Sequence, residues 1–130
     1  SKEDMLKVFI SDMTHTYVAL ANGSFPLGAS YVASYLKKVL GDKIDLSIFK
    51  YPSDLQENIT NGNHPDVFMF SSYYWNQNLG LAFAEEIKNI NEKTLVVTGG
   101  PNISKDMHKQ KEFLESNPCK VNSLIRKKNV

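Results

Sequence analysis

The sequence lacks three things: a second cysteine, a long apolar run and a substantial net charge. With Cys119 as its only cysteine, the chain can form no internal disulfide and no multi-cysteine metal site, which favours a reducing, cytosolic compartment. No stretch approaches the roughly 20 apolar residues that cross a bilayer, and the charged N-terminus has no apolar run behind it. We therefore expect a cytoplasmic protein without a membrane span.

The formal net charge is +1 at pH 7. This argues against nucleic acid as a partner, because proteins that bind it gather many unpaired Lys and Arg side chains to neutralise phosphates. Four of the 15 basic residues lie within residues 119–130, so residues 1–118 hold 11 basic and 14 acidic groups, a net of −3. We expect a mildly acidic domain over 1–118 and a basic C-terminal tail over 119–130.

Apolar periodicity predicts strands and helices in alternation along the chain. At 130 residues, 42 % of them apolar, the chain suffices for one globular core. The predicted strands are 6–11, 45–51, 67–70 and 94–98, and the predicted helices are 26–40, 53–59, 76–90 and 107–114. For residues 121–125 the sequence leaves two alternatives open, a fifth strand or part of a disordered tail.

Such alternation favours right-handed crossovers and a parallel sheet with helices on both faces. We therefore predict a doubly wound α/β fold with a five-stranded parallel sheet, flavodoxin-like (Rossmann-like) in architecture. Ligands of these folds bind outside the carboxyl ends of the strands, where the strand order reverses. In the order 2-1-3-4-5, that crevice lies between the segments 12–25 and 71–76.

Three segments at this edge have the composition of a binding site. Residues 12–25 make a connection longer than the roughly two to six residues usual in α/β units. Residues 71–76 combine hydroxyls with three aromatic rings, which suits a large planar ligand or packing beneath the next helix. The glycines at 99–100 let a ligand approach the backbone, although a tight turn would also explain them. The candidate binding residues are Asp12, Thr14, His15, Thr16, Ser71, Ser72, Tyr73, Trp75, Asn76, Gly99, Gly100, Pro101 and Asn102.

Six short segments also form a recognisable series. They are T-H-T at 14–16, F-P-L-G-A-S-Y-V-A-S-Y-L at 25–36, F-K-Y-P at 49–52, P-D-V at 65–67, S-S-Y-Y-W-N at 71–76 and G-G-P-N at 99–102. In this order and spacing they resemble the cobalamin-binding domain at the N-terminus of cobalamin-dependent radical S-adenosylmethionine enzymes. The resemblance covers residues 7–118. It implies a bound cobalamin whose dimethylbenzimidazole tail is displaced into a slot beside the sheet.

The general motifs of cobalamin-binding domains are matched in part. Those motifs are D-x-H-x-x-G after the first strand, S-x-L after the third and G-G after the fourth. Ser71-Ser72-Tyr73 and Gly99-Gly100 resemble the last two. In the first, Asp12 and His15 are one residue too far apart, and Val18 stands where the glycine belongs. Two roles therefore remain open for His15, cobalt ligand or loop residue, and we assign no metal ligand.

The radical reaction needs three cysteines to hold an iron–sulfur cluster, and this chain has one. The resemblance therefore implies a partner, a radical S-adenosylmethionine catalytic domain on the same parent chain or a separate one, and no catalytic residue here. Two alternatives share the fold. A signalling receiver needs clustered acids at the end of the first strand, an aspartate at the end of the third and a lysine after the fifth. Here Asp12 stands alone, and Ser71 occupies the acceptor region. A flavin-binding domain needs a phosphate loop that Thr14, Thr16 and Ser24 match only loosely.

Overall fold

The computed structural model describes residues 4–13, 27–71, 77–99, 106–116 and 123–125. Strands and helices alternate through them. The strands are β1 (Leu6–Ser11), β2 (Ile44–Phe49), β3 (Val67–Ser71), β4 (Leu95–Gly99) and β5 (Ser123–Ile125). The helices are α1 (Leu27–Leu40), α2 (Pro52–Thr60), α3 (Gln77–Ile90) and α4 (Met107–Ser116), and a 3-10 turn, Gly41–Lys43, directly follows α1. None of these helices is long and apolar enough to cross a bilayer.

The strands form one parallel sheet in the order β2-β1-β3-β4-β5. The chain passes from β1 to β2 on one side and then returns to the other side for β3, so the strand order reverses between β1 and β3. The prediction of a doubly wound parallel α/β fold is confirmed. The last strand is short, and it lies within the segment for which the sequence left a strand or a disordered tail open.

The core has two layers, because successive side chains of a strand point to opposite faces of the sheet. The first layer joins the aromatic residues of β1 and β3 to α2 and α3, through Phe9, Phe68, Phe70, Leu55, Ile59, Phe83, Ala84 and Ile87. The second joins β1 and β2 to α1, through Val8, Ile10, Ile44, Val32, Ala33, Leu36 and Leu40. Among the described helices, α1 is the one that contributes to the second layer.

The buried face of α3 differs from the expected one. The sequence pattern predicts Leu79, Phe83, Ile87 and Ile90 on that face, but Leu79 and Ile90 are exposed. The helix packs on β3 along Phe83 and Ile87 together with Gly80, whose missing side chain admits the ring of Phe70. Close approach at a glycine, rather than apolar spacing alone, therefore sets the rotation of the helix about its axis.

We expect Gly80→Ala to destabilise the domain. The added methyl group would lie closer than van der Waals contact to ring carbons of Phe70, which is buried and stacks against Phe68. Overpacking of about 1–3 kcal/mol outweighs the roughly 1 kcal/mol by which alanine is favoured over glycine in a helix. The free energy of unfolding, measured by urea titration, should therefore fall.

The matched measurement places Gly80→Ala in a Phe70→Leu background, where the smaller side chain leaves room for the methyl group. There the substitution should cost less than it does beside the wild-type ring. Equal costs in the two backgrounds would contradict the packing explanation.

Candidate functional site

The carboxyl ends of β1, β3 and β4 lie side by side at one edge of the sheet. Ser11, the last residue of β1, pairs with Phe70, and Ser71, the last residue of β3, pairs with Gly99 at the end of β4. Because the strands are parallel neighbours, Asp12, Ser71 and Gly99 all reach this edge. The structure thus brings together three of the residues predicted from sequence.

Asp12 is fixed at the point where the strand order reverses. Its backbone N–H donates to the carbonyl of Phe49 at 2.9 Å, which extends the pairing of β1 with β2 by one residue. Its side chain is buried, with 1 % of the residue exposed. Aspartate is almost never so deeply buried unless its carboxylate is paired with another group. A buried carboxyl group therefore lies directly after β1, at the crevice between β1 and β3.

The ends of β3 and β4 carry small residues on the same face of the sheet as α1. Three cross-strand pairs succeed one another on that face toward the carboxyl edge: Val67 with Leu95, Met69 with Val97, and Ser71 with Gly99. The first two pairs are bulky and apolar. The third offers one hydroxymethyl group and one hydrogen atom, and both residues are half-buried. The sheet therefore carries little side-chain bulk at this end.

Thr98 joins the carboxyl ends of β3 and β4 through a side-chain hydrogen bond. Its Oγ1 donates to the carbonyl of Phe70 at 2.9 Å, immediately before the pair of Ser71 with Gly99, and the residue is buried. Sequence reasoning missed this role, since it treated Thr98 as one more residue of a buried strand. The available signal was a hydroxyl group at the end of the apolar run Leu95-Val96-Val97.

Thr94 makes the equivalent bond at the opposite end of the same strand pair. Its Oγ1 donates to the carbonyl of Pro65 at 2.9 Å, and this residue is buried too. The two threonine hydrogen bonds therefore differ chiefly in the edge of the sheet at which they lie. Thr94 lies at the amino edge, far from the candidate site, and so offers a control for Thr98.

The remaining predicted site residues lie outside the described part of the chain. They are Thr14, His15, Thr16, Ser72, Tyr73, Trp75, Asn76, Gly100, Pro101 and Asn102. Their sequence positions directly follow β1, β3 and β4, so the segments that carry them start at the carboxyl edge. In the described ranges, no three His, Cys, Asp or Glu side chains are grouped as a metal site would require.

No family model and no curated protein matches the sequence. Solved structures do match the fold. The BeF3-activated receiver domain of DrrB is similar with a TM-score of 0.59 and 12 % identity, over 97 % of this chain and 87 % of that one. A putative pilus assembly-related protein from Burkholderia pseudomallei is similar with a TM-score of 0.54 and 10 % identity, over 95 % of this chain and 78 % of that one. At these identities the likeness establishes a flavodoxin-like architecture.

Proposed function

We propose that this domain binds a cobalamin at the carboxyl edge of its sheet and presents it to a radical S-adenosylmethionine catalytic domain. The observation that carries the proposal is the pairing of Ser71 with Gly99 at the ends of neighbouring strands. These two residues begin the segments that resemble the S-x-L and G-G motifs of cobalamin-binding domains. The motif resemblance and the small-residue pair therefore coincide at one place.

The residues of this edge fit the chemical groups of a cobalamin. A nucleotide tail that ends in a flat benzimidazole needs a gap beside the backbone, and the small side chains of Ser71 and Gly99, after the bulkier pair of Met69 with Val97, would leave one. The amide side chains of the corrin ring need polar partners at the rim of such a pocket. The segments that begin at this edge supply hydroxyl and amide groups, namely Thr14, Thr16, Asn76 and Asn102.

The chemistry would be divided between cofactor and protein. A bound cobalamin supplies the reactivity of its cobalt centre. The residues of this chain would bind the cofactor and orient it: Gly99 by leaving space, Ser71 by a hydrogen bond from its hydroxyl group, and Thr98 by fixing the strand ends. Because the chain has a single cysteine, we assign the radical step to the partner domain.

A signalling receiver is the second candidate function. The likeness to the DrrB receiver domain and the buried Asp12 at the end of β1 favour it. A phosphoacceptor receiver needs an aspartate at the end of β3, however, and this chain has Ser71 there. Incubation with acetyl phosphate separates the two candidates: a receiver gains one phosphoryl group in the intact mass, whereas a cobalamin domain does not and instead retains hydroxocobalamin on gel filtration.

Gly99→Val should abolish binding of hydroxocobalamin, because the added isopropyl group would fill the gap beside Ser71. The domain should remain folded, since valine is well suited to a strand. Equilibrium titration of the visible spectrum measures the affinity, and Gly99→Ala, with one added methyl group, should fall between wild type and Gly99→Val. If both Gly99→Val and Gly100→Val bind as wild type does, the proposed site is wrong.

Thr98→Val should lower both stability and cobalamin affinity. Loss of its hydrogen bond to Phe70 should cost about 0.5–1.5 kcal/mol in the free energy of unfolding and loosen the strand end that positions Ser71. The matched control, Thr94→Val, loses the same kind of bond at the amino edge and should lower stability by a similar amount without weakening binding. Equal losses of affinity in the two variants would place the site elsewhere.

His15→Ala should leave the visible spectrum of the bound cofactor unchanged. The shifted spacing between Asp12 and His15 and the valine at 18 would place the imidazole differently from an established cobalt ligand. The affinity should then fall by no more than the roughly 0.5–1.5 kcal/mol of one hydrogen bond. A changed spectrum, or nitrogen coupling to cobalt(II) in paramagnetic resonance that disappears in His15→Ala, would identify His15 as the ligand instead.

A further inference from the structure

A group of large apolar side chains is exposed on the α1 side of the sheet, toward its amino edge. On the strands these are Leu6 at 44 % exposure and Leu95 at 45 %, with Val67 half-buried between β1 and Leu95. On α1 they are Tyr35 at 65 % and Val39 at 59 %. We name these five residues the α1-side patch. Large contiguous apolar surfaces on a soluble domain mark interaction sites.

The strand part of the patch is exposed because α1 covers only one half of this face. Val8, Val67 and Leu95 are consecutive neighbours in one cross-strand row. Val8 is 3 % exposed beneath the helix, Val67 is half-buried, and Leu95 is 45 % exposed. Exposure therefore rises with distance from α1, as expected where no other described helix contributes to this layer of the core.

The helix part of the patch borders this exposed strip. With 100° between successive residues, Val32, Leu36 and Leu40 face the sheet, and Tyr35 and Val39 lie on one flank of the helix while Lys37 lies on the other. In a right-handed crossover from β1 to β2, the flank that carries Tyr35 and Val39 is the one toward β3 and β4. The patch is thus a ridge, formed by the helix flank, beside a strip of uncovered sheet.

A ridge beside a strip is complementary to a second copy of itself. A two-fold axis parallel to the strands would place the α1 flank of each copy on the strip of the other. Both copies would then use the same residues and each contact would occur twice, as an isologous interface requires. Because α1 runs antiparallel to the strands, the last turn of each helix would then lie at the amino edge of its partner.

The charges around the patch match this arrangement. In α1 the charged residues are Lys37 and Lys38, both in the last turn, and the helix has no acidic residue. The segments immediately before β1, β3 and β4 carry Asp4, Asp66 and Glu92, with one lysine, Lys93. Lys37 lies on the flank that faces away from the patch, so Lys38 is the α1 charge that would meet this edge of charge −2, and such complementarity fixes the register of an interface.

We propose that the α1-side patch is the interface of a homodimer. The occupant is a second copy of this chain, because the patch supplies both the ridge and the strip, and the residues beside it supply both the basic charge of Lys38 and the acidic charges of the amino edge. The proposal is independent of what binds at the carboxyl edge, since the exposed patch residues on the strands lie toward the amino edge of the sheet.

Sedimentation velocity over a range of protein concentrations tests the proposal. The wild-type chain should dimerise, and Tyr35→Glu should raise the dimer dissociation constant about thirtyfold or more, as burial of a charge at a central tyrosine does. Met107→Glu is the matched control: Met107 is 82 % exposed but belongs to α4, whose Leu114 packs on the other layer of the core. It should leave the constant unchanged.

Charge reversal tests the arrangement of the two copies. Lys38→Glu should weaken the dimer about two- to fivefold, the range of an exposed ion pair, and adding Glu92→Lys should restore it. A wild-type chain that stays monomeric at all concentrations would overturn the proposal. So would a dimer that Met107→Glu dissociates as strongly as Tyr35→Glu does.

Discussion

The parallel register of β1, β3 and β4 is the constraint on which the rest of the molecule depends. It ends the three strands at one edge, so that Asp12, Ser71 and Gly99 come together from positions far apart in the chain. The hydrogen bond from Thr98 to the Phe70 carbonyl stabilises that alignment at the carboxyl ends of β3 and β4. The aromatic layer beneath, with Phe9 and Phe68 fully buried, makes slippage costly, because a shift of one residue would turn these rings to the opposite face.

The fold could be predicted from the sequence because each element carries its own period. The apolar runs of β1, β3 and β4 and the helical spacing of α1 are local signals, and their alternation leaves few topologies. The edge at which ligands of such folds bind follows from that topology alone, and this is why Asp12, Ser71 and Gly99 could be placed together without coordinates. The predicted ends of several elements differ from the observed ends by one or two residues, because caps and turns, rather than periodicity, determine where an element ends.

The features that sequence reasoning missed all arise from contacts between elements. The rotation of α3 depends on the fit of Gly80 against Phe70, and a periodic pattern cannot distinguish that fit from an ordinary apolar stripe. The role of Thr98 depends on a carbonyl 28 residues away in sequence. The exposure of Leu95 depends on how far α1 extends across the sheet, although Leu95 reads in sequence as part of a buried strand.

The two proposed surfaces make different demands on the same strands. At the carboxyl edge, β3 and β4 end in small residues that leave room for a ligand, and at the amino edge they begin with Val67 and Leu95, which offer apolar surface to a partner. On the face that carries α1, the side chains of β3 and β4 therefore decrease in size from the amino edge to the carboxyl edge. A dimer formed through the bulky end would leave the small end open, so that the sheet could hold a cofactor at one edge while the other half of the same face is covered by protein.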